Sequence, residues 1–348
     1  WSKKLNMSLR NLSAKKKIPK ILSLKLNNKK INQIYKKFER TLDLKTNFAV
    51  AVSGGPDSLA LAFLAKVYAL KNKLTAKFFI VDHKIRLESK KEAKFVKQIL
   101  SKFKIDTEIL TWNGKKPTKN IQSLARKKRY NLLYSRCDKF KIKNILLGHH
   151  QDDLIENFFI RMLRGSGLRG LVSLDKKNKI ENKILLRPLL NQKKENLIFL
   201  SNHVFNSYIK DPSNKEEKYQ RTRIRKFIQD LKKEGLDKKK FMKTIKNLKS
   251  SNSVINFYVD KNLKTNTFIS SLKNKLVINN DFFQQPYEII FRSLSEAIKL
   301  IGRNYYSVRG KKLDKIIHEI LNNKIIRTTL GGCVIEKVNQ TIIISKER

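Results

Sequence analysis

The chain has 348 residues, of which 40% are hydrophobic, so it can bury a core and is long enough for two domains. Gly (12 residues) and Pro (6 residues) are scarce, which excludes collagen-like and low-complexity chains. The 78 Lys and Arg residues outnumber the 29 Asp and Glu residues and give a formal net charge of +49. Such an excess repels itself in a compact fold unless a polyanion neutralises it, so the charge favours a nucleic-acid partner. AT-rich codon usage, which enriches Lys, Asn and Ile together, is an alternative source of part of the excess.

Cysteine content and hydropathy bear on the compartment and on metal sites. The two cysteines, Cys137 and Cys333, are too few for a disulfide scaffold or a Cys-rich zinc site, and they form no C-x-x-C pair. The most apolar run, Leu59–Leu70, is interrupted by Lys66 and is too short for a membrane span. We therefore expect a reducing, cytoplasmic location, no membrane partner, and neither structural zinc nor an iron–sulfur cluster.

Residues 1–45 are predicted to form a basic N-terminal extension. No Asp or Glu precedes Glu39, and no apolar segment typical of a secretory signal is present. Three interpretations are open: a transit peptide, a basic arm that binds RNA, or a tail that has drifted in sequence.

Short apolar segments alternate with helical ones from residue 46 to about residue 230. Strands are predicted at Asn47–Val52, Phe78–Val81, Ile105–Trp112 and Asn144–Leu147. Helices are predicted from Leu59 onward and at Glu88–Phe103, Asn120–Phe140 and Asp152–Leu163. This alternation is typical of βαβ units and predicts an α/β fold with a doubly wound, mostly parallel sheet over residues 46–230. Ligands of such sheets bind at the carboxyl ends of the strands.

Beyond about Phe227 the pattern changes. Lys232–Lys249 is a lysine-dense helical stretch and Ser250–Ser253 has the composition of a linker, so residues 231–253 are predicted to be a lysine-rich helix followed by a linker. Short strands and helices mix in residues 254–348 and predict a smaller C-terminal α/β module.

The strongest local signal lies between the first predicted strand and the first predicted helix. It consists of Ser53, Gly54, Gly55, Pro56, Asp57 and Ser58. The two glycines let backbone N–H groups approach a ligand, and the helix N-terminus carries a partial positive charge, so the loop suits an oxyanion such as pyrophosphate. It lacks the lysine of a Walker A loop. Asp57 fits beside phosphates if a magnesium ion lies between them; the alternative is a capped turn with Asp57 or Ser58 as the N-cap.

A second cluster opens the helix near Asp152. Asp152 and Asp153 lie at the helix start and Glu156 follows one turn later, which places carboxylates on one helical face. Such a face can hold magnesium or orient an amine nucleophile, although acids at a helix N-terminus also complement its dipole. His149 and His150 have no third ligand at metal spacing, which disfavours zinc. A hydrogen bond to a nucleotide or a structural role is expected for them.

Two further pairs have competing interpretations. Asp82 and His83 follow a predicted strand, so they either contact a nucleotide or simply end the strand. Arg126 and Arg129 share one helix face and either bind phosphate or are solvated charges.

Two glycine- or proline-containing segments are turns by composition. Arg164–Gly167 (RGSG) is a candidate anion-binding turn. Asp211–Asn214 (DPSN) is explained by turn chemistry alone.

Taken with its neighbours, the Ser53–Ser58 loop resembles the SGGxDS loop of the N-type ATP pyrophosphatases of the PP-loop superfamily, which cleave ATP between the α and β phosphates. Later blocks, in the same order, resemble the tRNA(Ile)-lysidine synthase family. They are VDHKIR from Val81, ARKKRY from Ala125, GHHQDD from Gly148 followed by Glu156, RMLRGSGL from Arg161, RPL from Arg187, DPSN from Asp211, RTRIR from Arg221 and TLGGC from Thr329. Lys84 departs from the pattern, because many members have glycine there.

The resemblance implies an adenine nucleotide alpha hydrolase-like fold and a reaction. ATP, with Mg2+, adenylates the C2 carbonyl oxygen of the wobble cytidine (position 34) of a CAU-anticodon tRNA(Ile), and pyrophosphate is released. The side-chain amine of L-lysine then attacks C2, which releases AMP and leaves lysidine. The cytidine must leave its stack to react, and the C-terminal module is expected to bind tRNA.

The resemblance also assigns roles. The ATP-binding set is Ser53, Gly54, Gly55, Pro56, Asp57, Ser58, Asp82, His83 and Arg126. The catalytic set is Asp57, Asp152, Asp153, Glu156 and His149, with Asp57 and Asp153 as Mg2+ ligands. The set for tRNA or lysine is Arg129, Arg164, Arg187, Asp211, Asn214, Arg221 and Arg225.

Two other functions remain alternatives. A PP-loop tRNA thiolase usually uses a cysteine pair or an iron–sulfur cluster, and the placement of Cys137 and Cys333 counts against it. A tRNA-binding protein with a decayed ATP site is the other, and the intact loop and carboxylate block argue against it.

Overall fold

The computed structural model describes residues 18–84, 88–114, 121–209, 216, 219–270, 274–303, 308, 310–324 and 326–347. The chain divides into two compact units, Trp1–Leu236 and Asp237–Arg348. Among the described residues, no helix is both long and apolar enough to cross a membrane.

The first unit contains a six-stranded sheet. Its strands are β1 (Phe48–Val52), β2 (Ala76–Asp82), β3 (Thr107–Thr111), β4 (Asn144–Leu146), β5 (Lys177–Ile180) and β6 (Lys183–Leu186). They lie in the order β3-β2-β1-β4-β6-β5, and all neighbours are parallel except the edge pair β5–β6. The predicted doubly wound, mostly parallel sheet is therefore confirmed. The antiparallel edge strand β5 was not anticipated.

Nine helices of the first unit are described. They are α1 (Lys20–Leu26), α2 (Lys29–Glu39), α3 (Pro56–Lys71), α4 (Ser89–Lys102), α5 (Ile121–Lys139), α6 (Gln151–Met162), α7 (Leu168–Leu171), α8 (Lys194–Phe205) and α9 (Gln220–Lys233). From β1 the chain passes to β2 and β3 on one side, and β4 lies on the other side of β1. Strand order reverses between β1 and β4, and ligands of open α/β sheets bind at such a reversal.

The position of helix α3 in the fold explains why its sequence is apolar on every side. Leu59 to Ala65 are all fully buried, because the helix packs between the sheet and α8. A helix that is hydrophobic all round is stable only in such a position. The small side chains of Ala60, Ala62 and Ala65 are among those buried there. This packing fixes the N-terminus of α3 near the carboxyl end of β1, which precedes it in the chain.

Residues 20–39 belong to the folded core, although they fall within the predicted basic extension. The side chains of Leu22, Ile31, Tyr35 and Phe38 are fully buried and join the cluster around α3. Asn28 caps α2 by accepting hydrogen bonds from the backbone N–H groups of its second and third residues. The lysines of α2 occupy its opposite face, so the net charge of this segment hid an amphipathic helix.

The second unit is built on an antiparallel sheet. Its elements are α10 (Lys238–Asn266), β7 (Thr267–Ile269), β8 (Lys275–Ile278), a 3-10 helix (Asn280–Gln284), α11 (Tyr287–Ile301), α12 (Gly310–Leu321), β9 (Arg327–Leu330), β10 (Cys333–Val338) and β11 (Thr341–Lys346). The strand order is β7-β8-β11-β10-β9. Alternate residues such as Leu276, Ile278, Ile342 and Ile344 are buried against α11, as expected for strands with one covered face.

The predicted linker Ser250–Ser253 was wrong in its local structure. These residues lie inside the 29-residue helix α10, where the side chains of Ser251 and Ser253 donate hydrogen bonds to preceding backbone carbonyl oxygens. Tertiary contacts override the low helix propensity of serine and asparagine. Arg292 of α11, almost fully buried, donates to the Asn252 and Asn256 side chains and so fixes this stretch as helix.

Candidate functional site

A cavity of about 480 Å³ lies at the carboxyl ends of β1, β2 and β4. Its wall contains many of the residues singled out from the sequence. They are Ser53, Gly55, Asp57, Ser58, Asp82, His83, Arg126, Arg129, His149 and Asp153. Its volume is in the range of small-molecule and cofactor sites. The remaining wall is largely apolar, from residues such as Val81 and Leu133.

The loop after β1 is held in a shape that only glycine accommodates at one position. Gly54 has φ +87°, in the left-handed region, and a Cβ there would lie 2.5 Å from Cγ2 of Val96. Its carbonyl oxygen accepts a 2.9 Å hydrogen bond from the backbone N–H of Ile209. Gly54 thus joins the loop to the segment that follows α8.

Serine hydroxyls stiffen the same loop from inside. The Ser58 hydroxyl accepts from the backbone N–H of Ser53 at 3.1 Å and donates to the carbonyl oxygen of Gly55 at 2.9 Å. Ser201 of α8 donates to the carbonyl oxygen of Pro56 at 2.7 Å. Gly55 is the N-cap of α3 and Pro56 begins the helix, where its missing N–H costs nothing. Gly55, Asp57 and Ser58 of this helix start line the cavity, and a helix N-terminus suits an anion.

Asp57 of α3 and Asp153 of α6 meet at one imidazole. His150 Nε2 lies 3.5 Å from Oδ2 of Asp57 and 3.6 Å from Oδ2 of Asp153. Burial alone would lower the pKa of His150, but its hydrogen bond to Asp57 and the charges of Asp153, Asp57 and Asp152 outweigh burial and raise that pKa. The other Asp57 oxygen, Oδ1, is buried and has no hydrogen-bond partner in the described ranges of the chain.

The fit of this pair to magnesium rests on that oxygen. Carboxylate oxygens are the ligands that Mg2+ prefers, and it commonly keeps water and substrate phosphate as its other ligands. Within the described ranges, no three His, Cys, Asp or Glu side chains group as a complete metal-binding set. Asp57 and Asp153 therefore suit a cation shared with a phosphate rather than one held by protein alone.

His149 lies among cationic side chains. Burial and the charges of Arg187, Arg126, Arg221 and Arg129 hold the pKa of His149 well below its ordinary value, so its imidazole is neutral at pH 7. Its Nδ1 is buried and makes no hydrogen bond to any part of the chain that the structure describes. These four guanidiniums, named here the arginine set, give one side of the site a strong positive potential.

Members of the arginine set differ in how they are held. Arg187 donates to the carbonyl oxygen of Asp175 at 2.7 Å and to Oδ1 of Asn178 at 2.5 Å, so it is anchored to the β5 edge. Burial and the neighbouring charges of Arg126 and Arg221 lower the pKa of Arg129. The exposed guanidinium of Arg126 lies 5.2 Å from the ring centroid of Tyr130. Arg126 and Arg129 line the cavity, whereas Arg187 and Arg221 act on His149 by charge and are not among the lining residues.

The end of β2 forms a tight corner. The buried Asp82 accepts at Oδ1 from the backbone N–H of Lys84 at 2.9 Å. Lys84 has φ +50°, in the left-handed region, a conformation that glycine adopts at no steric cost. Burial and the charge of Arg129 lower the pKa of His83 to about 4, with Asp82 opposing the shift. His83 is thus a neutral side chain in the cavity wall.

Several predicted site residues lie elsewhere. Glu156 is 5% exposed and is held by Arg225, whose Nε donates to Oε1 at 2.6 Å; neither lines the cavity, nor does Asp152. Arg164 donates to Oε1 of Gln220 at 2.7 Å, outside the cavity. The predicted Asp211 and Asn214 fall outside the described residues.

The structure also adds residues that the sequence patterns had not assigned to the site. Tyr219 and Ile209 line the cavity from the segment before α9, and Ser201 holds the loop from α8. Nothing in their local sequence marks them, because each acts through a contact distant in the chain. His150 did carry a signal, since it precedes a helix whose first turn holds two acids, a position typical of an N-cap.

Both cysteines are unsuited to chemistry. Cys137 and Cys333 are free and buried, and burial raises the pKa of each thiol to about 11. The reactive form of cysteine is the thiolate, which is scarce at pH 7 for such thiols.

The chain is similar to known proteins both in sequence and in fold. A family model for the PP-loop domain matches residues 24–231. The chain is 36% identical over 310 residues to the tRNA(Ile)-lysidine synthase of Orientia tsutsugamushi (strain Boryong), covering 86% of this chain and 69% of that protein. It is 33% identical over 305 residues to the tRNA(Ile)-lysidine synthase of Wolbachia pipientis wMel, covering 86% and 70%. In fold alone, it is similar to the U34-tRNA thiolase NcsA from Methanococcus maripaludis, with TM-score 0.55, 16% identity, and coverage of 64% of this chain and 78% of that one.

Proposed function

Because the chain belongs to the tRNA(Ile)-lysidine synthase family of PP-loop enzymes, which use ATP to modify tRNA, we propose that the cavity at the ends of β1, β2 and β4 is the centre of that reaction. In the first step, the C2 carbonyl oxygen of the wobble cytidine attacks the α-phosphorus of ATP and pyrophosphate leaves. In the second, the side-chain amine of lysine attacks C2, loses a proton, and AMP leaves. Both steps need an anion site, a place for an unstacked base and an acceptor for the lysine proton.

The loop Ser53–Ser58 is the proposed phosphate site. Backbone N–H groups at the start of α3 and the hydroxyl of Ser53 are oriented before any ligand arrives, because Ser58, Ser201 and Ile209 fix the loop. Preorganised donors of this kind stabilise developing negative charge without reorganisation. The apolar part of the wall beyond the loop offers space for the adenine ring.

Asp57 and Asp153 are the proposed Mg2+ ligands. Asp57 offers a buried oxygen with no hydrogen-bond partner among the described residues, and Asp153 approaches the same imidazole from α6. A bound magnesium ion would neutralise charge on the phosphates. Asp152 and Glu156 support this arrangement from α6 rather than from the cavity wall.

His149 and Asp153 are the proposed contacts of the lysine amine. The neutral imidazole of His149 has a free ring nitrogen that can accept a hydrogen bond, and the cationic arginine set keeps it neutral. The Asp153 carboxylate can attract the ammonium form and help the amine lose its proton. Arg126 and Arg129 are expected to hold phosphate of ATP or of the anticodon loop.

The second unit is proposed to bind the body of the tRNA. One face of α10 presents Val254, Phe257, Tyr258 and Lys261, spaced so that they lie together, and all four are exposed. Exposed aromatic rings next to lysines are typical of surfaces that stack bases and attract the phosphate backbone. The Phe257 and Tyr258 rings lie edge to face, 5.5 Å apart between centroids.

The observation that carries the proposal is that the phosphate-loop residues and the carboxylates of α3 and α6 share one cavity wall. The test is incorporation of labelled lysine into CAU-anticodon tRNA(Ile) with ATP and Mg2+, beside the same tRNA with uridine at position 34. We expect label only in the first tRNA, and its loss in Asp57→Asn but not in Asp106→Asn, an exposed carboxylate of the same unit. Label in both tRNAs, or unchanged labelling by Asp57→Asn, would overturn the assignment.

A further inference from the structure

Both ring nitrogens of His150 lie close to groups of the protein, Nδ1 to the backbone N–H of Asp152 and Nε2 to the carboxylates of Asp57 and Asp153. The residue is the N-cap of α6 and is 4% exposed. Its Nδ1 accepts a hydrogen bond from the backbone N–H of Asp152 at 3.2 Å, and Asp153 Oδ2 accepts from its backbone N–H at 2.8 Å. Its Nε2 faces the carboxylates of Asp57 and Asp153.

The cap determines where the imidazole proton lies. A ring nitrogen that accepts a hydrogen bond carries no hydrogen, so in the capping geometry the proton of the neutral ring is on Nε2. Nε2 lies 3.5 Å from Oδ2 of Asp57 and 3.6 Å from Oδ2 of Asp153, so its N–H can donate to one of them at a time. The capping bond of α6 therefore selects the tautomer that can donate to Asp57, a residue of another helix.

The Nε2–H group of His150 can offset the electrostatic cost of bringing Asp57 and Asp153 together. Two carboxylates brought together repel each other, and a partly buried carboxylate is costly unless it is hydrogen-bonded. The Nε2 of His150 lies close to Oδ2 of both acids, whereas Oδ1 of Asp57 has no hydrogen-bond partner among the described residues. The oxygen left over is the one available to a cation.

We propose that His150 is a positioning residue that holds the side chains of Asp57 and Asp153 in a fixed orientation to each other, so that their remaining oxygens receive the magnesium of Mg–ATP. The inference rests on the proposed function, because it assumes that the cavity binds ATP with that cation. His150 itself touches neither the nucleotide nor the metal.

The competing explanation is that His150 only caps α6. The two roles use different ring nitrogens, and two substitutions separate them. Asn places its side-chain oxygen where Nδ1 lies and is a good N-cap, but it has no group at the Nε2 position. Gln places its amide N–H near the Nε2 position and lacks the capping acceptor. His150→Asn thus keeps the capping acceptor and loses the donor to the carboxylates. His150→Gln keeps that donor and loses the capping acceptor.

The experiment measures nucleotide binding without lysine or tRNA, by calorimetry with a non-hydrolysable ATP analogue in Mg2+ and in EDTA, together with the melting temperature. For His150→Asn we expect a melting temperature close to that of the wild type, about tenfold weaker binding in Mg2+ and unchanged binding in EDTA. For His150→Gln we expect binding in Mg2+ within about threefold of the wild type, despite a lower melting temperature. His203→Gln, on the exposed side of α8, is the control for a histidine change as such.

Wild-type-like binding by His150→Asn, or an equal loss in Mg2+ and EDTA, would overturn the inference in favour of a cap alone or a loop defect. Failure of the proposed function is a separate result. It would appear as a wild-type protein that binds the analogue but labels no tRNA, and the binding comparison among the variants would still stand.

Discussion

Glu156 on α6 and Arg225 on α9 satisfy each other. The Arg225 side chain donates from Nε to Oε1 of Glu156 at 2.6 Å and from Nη2 to Oε2 at 3.3 Å, so both carboxylate oxygens are engaged. Burial would lower the pKa of Arg225, but the hydrogen bond and charge of Glu156, with more distant acids, raise it. The pair fastens α9 to the helix that carries Asp153, and it makes Glu156 a support of the site.

Removing Arg225 is expected to destabilise the first unit. Arg225→Ala leaves the buried Glu156 carboxylate without its main partner, and breaking a buried pair costs about 3–5 kcal/mol, of which we expect the lower part because Arg225 is partly exposed. The measurement is urea unfolding at pH 7. Lys233→Ala, which breaks the exposed pair with Asp230 on the same helix, is the matched control and should have little effect. Equal effects of the two substitutions would contradict the role given to Glu156.

Two adjacent glycines of the phosphate loop should respond differently to alanine. Gly54→Ala forces a Cβ into Val96 at a positive φ and is expected to cost about 1–3 kcal/mol of unfolding free energy. Gly55→Ala meets no atom within 4 Å and should change stability by less than about 0.5 kcal/mol. Chemical denaturation of both variants is the test. A large loss in Gly55→Ala without ligand would show that the loop geometry is wrong.

Local patterns predicted much of the fold and of the site. The Ser53–Ser58 and Gly148–Asp153 blocks were found because the residues that act together are also neighbours in sequence, and the strand–helix alternation placed both at the carboxyl edge of the sheet. Contacts between distant segments escaped prediction. Ser201 and Ile209 hold the loop from outside its own sequence, and Ser250–Ser253 is helical because Arg292 of α11 binds the helix there.

Sequence patterns did not show which of three acids faces the cavity. Asp152, Asp153 and Glu156 were predicted to share one helical face, but only Asp153 of the three lines the cavity, and Glu156 is paired with Arg225. The apolar face of α2 was hidden by its lysines. Composition averages over a helix, whereas packing depends on which side each residue occupies.

His83 is expected to make stability depend on pH in a defined window. Its pKa is about 4 in the folded protein and near 6.5 when unfolded, so between these values the unfolded chain takes up a proton that the folded protein does not. The contribution of His83 to stability is therefore lost as pH falls from about 6.5 to 4. His83→Gln should reduce the drop in urea midpoint between pH 7 and pH 5. His203→Gln is the control, and an equal drop in wild type and His83→Gln would contradict the burial of His83.

Neither cysteine should be needed for the reaction. Cys137→Ala and Cys333→Ala remove buried thiols whose pKa is raised to about 11, so they should leave lysine incorporation within about twofold while lowering the melting temperature by a few degrees. The double variant should also remain active. Loss of tRNA modification in a folded variant would instead support the sulfur-transfer alternative.

The exposed face of α10 should contribute to tRNA affinity. Stacking of one base on an aromatic ring is worth about 1–3 kcal/mol, so the double variant Phe257→Ala, Tyr258→Ala is expected to bind tRNA about tenfold more weakly. Binding of the ATP analogue should not change. Leu300→Ala, an exposed apolar residue of the same unit, is the control. The measurement is a filter-binding titration, and unchanged affinity would remove this face from the proposed interface.

The arginine set around His149 also bears on the order in which substrates enter. The positive charge of the arginine set, of which Arg126 and Arg129 line the cavity, repels a cation, and free lysine carries an ammonium group at neutral pH. In the proposed function, the phosphates of ATP and of the anticodon loop lie against these guanidiniums, which would make the same space neutral or negative and able to admit the amino acid. Charge alone thus favours a sequence in which the two polyanions enter first and lysine last, so that the nucleophile arrives only when there is an adenylated base to attack.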